Sequence, residues 1–425
     1  MPATLPVTRP SSAQTAPSNG RRAYAHIWVL VVGAGAVRAA GFSYPFLSYR
    51  LADLGFSTTG ISGVLALYGV GWLAGQILWG RLADVLGRRT TLVSAMALAA
   101  VVMPLLAEVS NPFAVGGAAV VAGVVYDAPR PVVSAVVGDD VPDDATRASI
   151  TGWRHFAINV GAAVTGATGG LLADRTGLAL LFWINALACA AFALVALRYM
   201  KADSPRIPTA TPAGNGARSA LRDVRLGLLW LASLLALTPV AGLFSIMPLL
   251  MERNGMPASA YGWTQVASAA AVLLLSLPLN GWLARKTKSS SMVGMLAASS
   301  LVLGAGIGSA GLASSTLQYA AAAAAAVPGE IVAFVAATAI VDRIAPPHAR
   351  GLYAGIWGST LAGAIICAPT LAGWSLTQGG PGLVGLTTFF CGVLGAVVCL
   401  PLALLLRQGR ATRPPVSDLS SNKGR

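Results

Sequence analysis

The sequence predicts an all-α membrane protein in which twelve transmembrane helices form two pseudo-symmetric six-helix bundles around a central cavity. Of the 425 residues, 55% are hydrophobic and only 10% are charged, whereas an average soluble domain has about a quarter of its residues charged. The apolar runs are each about 20 residues long, the length of a membrane-spanning helix, while barrel strands would be about ten residues long and alternating. A polar stretch separates six of these runs from six others, which predicts two bundles.

The apolar runs give the predicted spans in chain order. The first six spans are 26–47, 61–79, 90–108, 113–137, 149–172 and 178–199, and the second six are 226–250, 260–283, 290–312, 318–341, 351–374 and 381–406. Residues 200–225, rich in Pro, Gly, Ala and Arg, predict a flexible cytoplasmic linker between bundles 23–199 and 226–407. Residues 1–22 and 408–425 predict disordered cytoplasmic tails.

The net charge of +14 has an uneven distribution. With the N-terminus in the cytoplasm, 23 of the 29 Lys and Arg residues fall in cytoplasmic segments, and three fall outside, namely Arg50, Arg175 and Arg253. The other three, Arg38, Arg130 and Arg154, lie within or near the ends of spans. The positive-inside rule predicts this asymmetry, so we expect a multi-pass protein of the cell inner (plasma) membrane with both termini in the cytoplasm. Because the charges lie in loops without interleaved aromatics, nucleic-acid binding is not expected.

The cysteines and histidines predict no metal site, because no pair has ligand spacing and all four cysteines lie inside apolar runs. We expect no cofactor and a monomer whose partners are a small-molecule substrate, protons and the lipid bilayer.

A weak internal repeat relates the two halves at an offset of 203 residues. It aligns Asp127 with Glu330, Asp139 with Asp342, Arg147 with Arg350 and Gly152 with Gly355. Parallel six-span repeats around a cavity are one known way to build a transporter.

The run GRLADVLGRR, from Gly80 to Arg89, fills the tight loop between spans two and three. Gly80 and Gly87 permit a sharp turn. Asp84 can face a helix N-terminus or an arginine, and the basic pair can face lipid headgroups or helix C-termini. The run predicts a cytoplasmic gate loop, to which we assign Gly80, Asp84, Gly87, Arg88, Arg89 and, from span four, Arg130. A merely topogenic basic loop is the alternative, but it would need neither Asp84 nor the glycines.

This loop resembles the G-x-L-A-D-x-x-G-R-R signature of the major facilitator superfamily. Span count, linker and repeat extend the resemblance over residues 24–407. The resemblance implies a secondary transporter that works by alternating access, in which this loop locks the cytoplasmic ends together in the outward-facing state. At the matching place in the second half, Gly281–Arg285 keeps Gly, Leu and Ala but has Arg285 where Asp is expected.

Two further segments resemble the twelve-span drug:proton antiporter branch, which exports drugs and metabolites. They are Arg38 with Pro45-Phe46-Leu47, and the run Tyr126–Arg130. A third segment resembles the exporters' G-x3-G-P-x2-G-G pattern, with Ala167 where proline is expected. Its glycines, Gly161, Gly166, Gly169 and Gly170, predict close helix packing, while a role in preventing leaks is implied by the resemblance only.

Four charged residues, Arg38, Asp127, Arg154 and Glu330, lie at least five residues inside predicted spans. A charge there costs at least about 2.5 kcal/mol and usually lines a cavity or relay. Asp127 and Glu330 are the proton-coupling candidates, because low-dielectric surroundings favour the protonated carboxyl. Static ion pairs, Asp127 with Arg130 or Arg154 and Glu330 with Arg38, are the alternative that spacing leaves open.

Other polar and aromatic residues are candidates for the substrate cavity or for ion pairs. Arg154, His155 and Asn159 form a polar sector in span five, where the arginine can hold an anionic substrate or a carboxylate. Trp153 and Trp357 lie deep enough in their spans to line a cavity.

The expected function is proton-coupled export of a small amphipathic or lipophilic compound, such as a drug or secondary metabolite. Proton-coupled uptake of a small metabolite by the same fold is the alternative. A membrane enzyme, such as an acyl or glycosyl transferase, would need a nucleophile with its base or a metal site, which the sequence does not supply. The chain has no P-loop motif for ATP hydrolysis. A non-transporting receptor on the same scaffold is the remaining hypothesis.

Overall fold

The computed structural model of the chain describes residues 24–203, 220–286, 292–346 and 349–411. The predicted N-terminal tail, residues 412–425 of the C-terminal tail and residues 204–219 of the predicted linker lie outside the described residues. The side chain of Arg285 lies outside them as well.

Among the described residues, eight helices form the N-terminal half. They are α1 (Ala25–Ala39), α2 (Leu47–Asp53), α3 (Thr58–Val85), α4 (Arg88–Glu108), α5 (Pro112–Tyr126), α6 (Pro129–Asp140), α7 (Asp144–Thr176) and α8 (Ala179–Tyr199). Local sequence determines where several of these helices begin. The side chains of Ser57, Asn111 and Asp143 accept hydrogen bonds from the first amides of α3, α5 and α7, as N-cap residues do.

The described part of the C-terminal half contains five helices. They are α9 (Val224–Arg253), α10 (Ala258–Lys286), α11 (Met292–Gly308), α12 (Thr316–Ile344) and α13 (Arg350–Ala411), with a short 3₁₀ turn at Ser309–Leu312. The 62-residue α13 has non-helical backbone angles at Gly379 and Gly380, and Gly380 has a φ of +69°. Since glycine adopts positive φ without penalty, α13 turns there and crosses twice.

Ten of these segments are long and apolar enough to cross a membrane, counting α5 with α6 as one. One of the ten, α13, crosses twice, and α1 together with α2 supplies one more crossing. The described residues therefore make twelve crossings. The predicted fold class, an all-helical membrane protein with two repeats, is confirmed.

Two predicted spans are not continuous. Span one, predicted as 26–47, breaks after Ala39 and resumes at Leu47, and span four, predicted as 113–137, breaks at Asp127. Proline contributes to both breaks, because it has no amide hydrogen to donate to the carbonyl four residues before it. Pro45 lies in the first break, and Pro129 begins the helix after the second.

Side chains from neighbouring helices satisfy the carbonyl groups that the breaks leave without a helical partner. The Thr165 hydroxyl on α7 donates toward the Arg38 and Ala39 carbonyls at the end of α1. On α3, Trp79 Nε1 donates to the Val124 carbonyl at 2.7 Å. These bonds allow irregular backbone inside the bundle, where no lipid-facing carbonyl could be left unpaired.

The two halves meet at one end of the bundle. We call the end with residues 54–57 and 254–257 the far end, and the end with residues 80–89 the loop end. Near the far end, α3 packs on α13, α7 on α10, and α2 on α9. A Cβ at Gly69 would press on Ile365 and Ile366, and one at Gly373 on Ser62, so the halves are in close contact there.

Candidate functional site

A cluster of charged and aromatic side chains lies at the two helix breaks. Arg38, in the last turn of α1, donates from Nη1 to the Tyr126 hydroxyl at 2.9 Å. Asp127 caps the C-terminus of α5, and Arg130 Nε lies 2.7 Å from its Oδ2. The Arg38 guanidinium carbon lies 5.6 Å from the centre of the Phe244 ring on α9. Both breaks and both halves therefore contribute to this central cluster.

The two side chains of the ion pair at its centre are partly exposed, although they lie midway along span four. The Asp127 side chain is 20% exposed and the Arg130 side chain 45% exposed. Because α6 begins at Pro129, Arg130 turns back onto Asp127 three residues before it. Arg130 therefore belongs to the central cluster and not to the gate loop of residues 80–89, to which the sequence had assigned it.

Arg154 on α7 lies beside the cluster. Its Nη1 donates to the Ser134 hydroxyl and to the Arg130 carbonyl, both on α6. His155 is exposed, and the Asn159 side-chain amide donates to the His155 carbonyl at 2.9 Å within its own helix. The polar sector predicted for span five is thus divided: Arg154 bonds to α6, while Asn159 bonds to its own helix.

Glu330 lies at the middle of the 29-residue α12. Within the described part of the chain, no ion pair or hydrogen bond joins its carboxyl group to another residue. Arg38, its partner in the ion-pair alternative, bonds to Tyr126 instead. The two repeat-related carboxyl groups therefore differ: Asp127 has an arginine at 2.7 Å and Glu330 has none.

The two candidate tryptophans occupy different surroundings. Trp357 on α13 donates from Nε1 to the Ser233 hydroxyl at 3.0 Å and packs edge-on against Phe334, which follows Glu330 by one turn of α12. Trp153 is 52% exposed and packs edge-on against Trp28 at 6.4 Å. Trp357 thus lies in the C-terminal half against a ring that is one turn from Glu330, and Trp153 lies against the start of α1.

Aromatic rings seal the far end between the halves. Phe46 meets Tyr261 edge-on at 5.5 Å, and Tyr44 lies 6.4 Å from Phe244. Tyr44, Phe46 and Tyr261 are at most 1% exposed. Buried aromatic rings from both halves therefore lie between the central cluster and the far end.

The four glycines of the α7 segment lie where other chain segments approach closely. A Cβ at Gly161 would overlap the Gly35 carbonyl of α1, and one at Gly169 would overlap the rings at the first break. Cβ atoms at Gly166 and Gly170 would overlap the backbone of α10 near Gly262 and Ser259. Small residues here let α7 pack against α1 and the opposite half together.

The predicted gate loop, residues 80–89, is mostly helical, because α3 runs to Val85 and α4 begins at Arg88. Arg88 donates to Asp84 at 2.7 Å and to Asp139 at the end of α6 at 3.3 Å. The Asp84 side chain is 71% exposed. Arg89 donates to the Leu197 carbonyl at the end of α8, and a Cβ at Gly80 would meet open space. Among the described residues, the side-chain partners of Arg88 and Arg89 therefore all belong to the N-terminal half.

Asp203, at the start of the predicted linker, caps the helix that follows the gate loop. Its carboxylate accepts the amide hydrogens of Arg89 at 3.0 Å and Thr90 at 2.8 Å. Gly87, the N-cap residue of α4, has a φ of +94° and offers no side-chain cap. Burial alone would raise the pKa of Asp203, but the hydrogen bonds from Thr90 and Arg89 outweigh it and lower that pKa.

Comparison with known proteins shows which family has this architecture. The family description "Major Facilitator Superfamily" matches residues 28–257 and 229–424, which together cover most of the chain. The chain belongs to the Major Facilitator Superfamily. A search of curated proteins found no match.

Solved structures share the superfamily's fold with this chain. A crystal structure of the peptide transporter POT in complex with sulfate is 17% identical with a TM-score of 0.74, covering 91% of this chain and 95% of that one. A POT family transporter in complex with a thioalcohol-conjugated peptide is 14% identical with a TM-score of 0.73, covering 92% and 97%. The nucleoside transporter NupG is 15% identical with a TM-score of 0.68, covering 91% and 99%.

As a Major Facilitator Superfamily protein, the chain is a multi-pass membrane transporter of small molecules. At these identities the likeness to POT and NupG shows the fold alone. Sequence reasoning missed Phe244, the capping role of Thr165 and the cap from Asp203, because each acts on a residue distant in sequence. The prolines at 45, 129 and 131 were the available signal for the helix breaks.

Proposed function

We propose that this protein is a proton-coupled antiporter that exports a small amphipathic or lipophilic compound by alternating access. The single observation that carries the proposal is Glu330, a carboxyl group at the middle of a membrane-spanning helix with no partner in the described residues. An unpaired carboxylate in low-dielectric surroundings is costly, so the group holds a proton until water or a cationic group reaches it. Such a group takes up and releases a proton as access alternates.

Asp127 has a different role in this proposal. Arg130 at 2.7 Å stabilises its ionised form, and Arg38 bonds to the adjacent Tyr126. We infer that Asp127 organises the central cluster across the break in span four, while Glu330 carries the proton.

Export is favoured by the exporter-like segments together with their contacts. Arg38 and Phe46 of the first segment, and Tyr126 and Arg130 of the second, meet in or beside the central cluster. The charge asymmetry supports the orientation in this proposal: the loop end faces the cytoplasm of a plasma membrane, and both termini are cytoplasmic.

Uptake of a small metabolite by the same fold is the second candidate. It is favoured by Ala167, since α7 runs as an uninterrupted 33-residue helix through the position where the exporters' pattern has proline. Measurement of net flux in energised cells separates the two directions.

The test is efflux from energised cells of a panel of dyes and small antibiotics that includes anionic, zwitterionic and cationic members, with and without a protonophore. We expect efflux that the protonophore stops, and that Glu330→Gln abolishes. Asp342→Asn, which changes an exposed carboxyl group at the end of the same helix, is the matched control and should transport normally. Protonophore-sensitive efflux that persists in Glu330→Gln would exclude Glu330 as the proton carrier.

A further inference from the structure

Positive charge exceeds negative charge in the central cluster. Arg38, Arg130 and Arg154 supply three guanidinium groups against one carboxylate, that of Asp127, which pairs with Arg130. Arg38 donates to a tyrosine hydroxyl, and Arg154 donates to a serine hydroxyl and a carbonyl. Within the described residues, neither of these two arginines has a carboxylate at ion-pair distance. Guanidinium groups inside a membrane protein without a counter-ion are costly and mark a functional site.

One of these two arginines lines a pocket. The pocket has a volume of about 100 Å³ and lies between α6 and α7, with walls formed by Ser134, Val137, Arg147, Ile150, Thr151 and Arg154. Hydroxyl groups of Ser134 and Thr151 therefore lie in the same walls as the Arg154 guanidinium. Both hydroxyls donate to carbonyls of their own helices, Ser134 to Arg130 and Thr151 to Arg147. The planar Arg154 guanidinium is therefore the group in these walls that matches the geometry of a carboxylate, phosphate or sulfonate.

The pocket adjoins the central cluster. Arg154 joins them, because it lines the pocket and donates to the carbonyl of Arg130, the partner of Asp127. An anionic group bound there would neutralise Arg154 and leave the rest of its molecule within reach of the cluster.

We propose that this pocket binds an oxyanion carried by the substrate, so that the transported compound is an amphipathic acid or zwitterion. The inference rests on the proposed transport function and adds the chemical class of the substrate. The anionic group binds Arg154 in the N-terminal half. The remainder of the substrate extends toward Phe244 and the C-terminal half, where Glu330 is open to a proton or to a basic group of a zwitterion.

The experiment measures thermal unfolding of the purified full chain in phosphatidylcholine nanodiscs, titrated with sodium benzoate or with neutral benzamide. We expect benzoate, and not benzamide, to raise the unfolding temperature. Arg154→Gln should weaken benzoate binding at least about tenfold, the effect of losing one charge-assisted hydrogen bond. Arg154→Lys should retain part of the binding, since lysine keeps the positive charge but lacks the planar guanidinium that can donate two parallel hydrogen bonds.

Two control variants keep the test independent of misfolding. Ser134→Ala leaves every charge in place and should weaken benzoate binding by a smaller factor. Arg198→Gln removes a positive charge from an exposed site at the loop end of α8 and should bind benzoate as the unmodified protein does. Equal stabilisation by acid and amide, stabilisation by neither, or unchanged binding in Arg154→Gln would each overturn the proposal.

A lipid headgroup carries the same oxyanion chemistry, so a second set of nanodiscs contains phosphatidylglycerol. Stabilisation by this lipid without any by benzoate would assign the pocket to a headgroup and overturn the substrate assignment. Binding is measured without a proton gradient and with Glu330 intact. Failure of the benzoate-binding prediction is therefore distinct from failure of the proposed function. The latter would show as protonophore-insensitive flux or as normal flux in Glu330→Gln.

Discussion

Replacing Thr165 by valine tests whether α7 supports the break in span one. Valine matches threonine in shape but removes the hydroxyl, whose oxygen lies within hydrogen-bond distance of the Arg38 and Ala39 carbonyls of α1 and of the Gly161 carbonyl in its own helix. The Arg38 carbonyl keeps a bond from the Gly41 amide at 3.1 Å, whereas the Ala39 carbonyl loses the donor from α7. Thr165 is 2% exposed, so water does not replace the hydroxyl.

The expected cost is that of one buried carbonyl left without a partner, about 1–3 kcal/mol. This corresponds to a roughly 5- to 150-fold change in the folding equilibrium. The measurement is the free energy of unfolding, obtained by chemical denaturation in detergent micelles. Transport should fall as well, because the break positions Arg38 against Tyr126 and Phe244.

Thr168→Val is the matched control. Thr168 lies on the same helix and its hydroxyl donates to the Val164 carbonyl four residues before it, but it is exposed and does not reach α1. We expect its loss to cost a few tenths of a kcal/mol, in the range of ordinary surface substitutions. Equal destabilisation by the two variants would refute the argument that Thr165 supports the break.

Three further predictions concern the far end, the linker and the gate loop. Gly166→Val should prevent closure of the far end, because its side chain would overlap the Gly262 carbonyl. A cysteine introduced at position 49 should then react faster with an impermeant maleimide. Gly152→Val, in open space on the same helix, is the control and should leave that reaction rate unchanged. Asp203→Ala should cost about 1 kcal/mol, the value of a helix cap, at neutral pH. The pKa of Asp203 is lowered in the folded state. The contribution of its carboxylate to the free energy of unfolding is therefore complete above about pH 4 and disappears as pH falls through that lowered pKa. Unfolding curves of the variant and the unmodified protein should converge in acid. Asp84→Asn should reduce transport several-fold while membrane insertion stays intact, and normal transport would contradict the hinge role of the gate loop.

The sequence alone determined the overall architecture. Hydropathy over windows of about 20 residues reports whether a segment spans the bilayer, and it does not depend on which helix packs beside it. Composition, span lengths and the Gly80–Arg89 run therefore predicted the family and fold. The intramembrane residues Arg38, Asp127, Arg154 and Glu330 were also evident from sequence, because charges are rare in such segments.

The tertiary structure decided what each of these charged residues contacts. Asp127 and Glu330 are equivalent in the repeat, yet one pairs with Arg130 across a proline-induced break and the other has no partner among the described residues. Thr165 and Asp203 act on backbone groups 126 and 113 residues away in the chain. Such partners depend on how helices pack against one another, and apolar residues facing lipid and apolar residues facing another helix have the same hydropathy. Hydropathy could therefore locate the helices in the membrane, but only their packing could distinguish a paired carboxylate from an unpaired one.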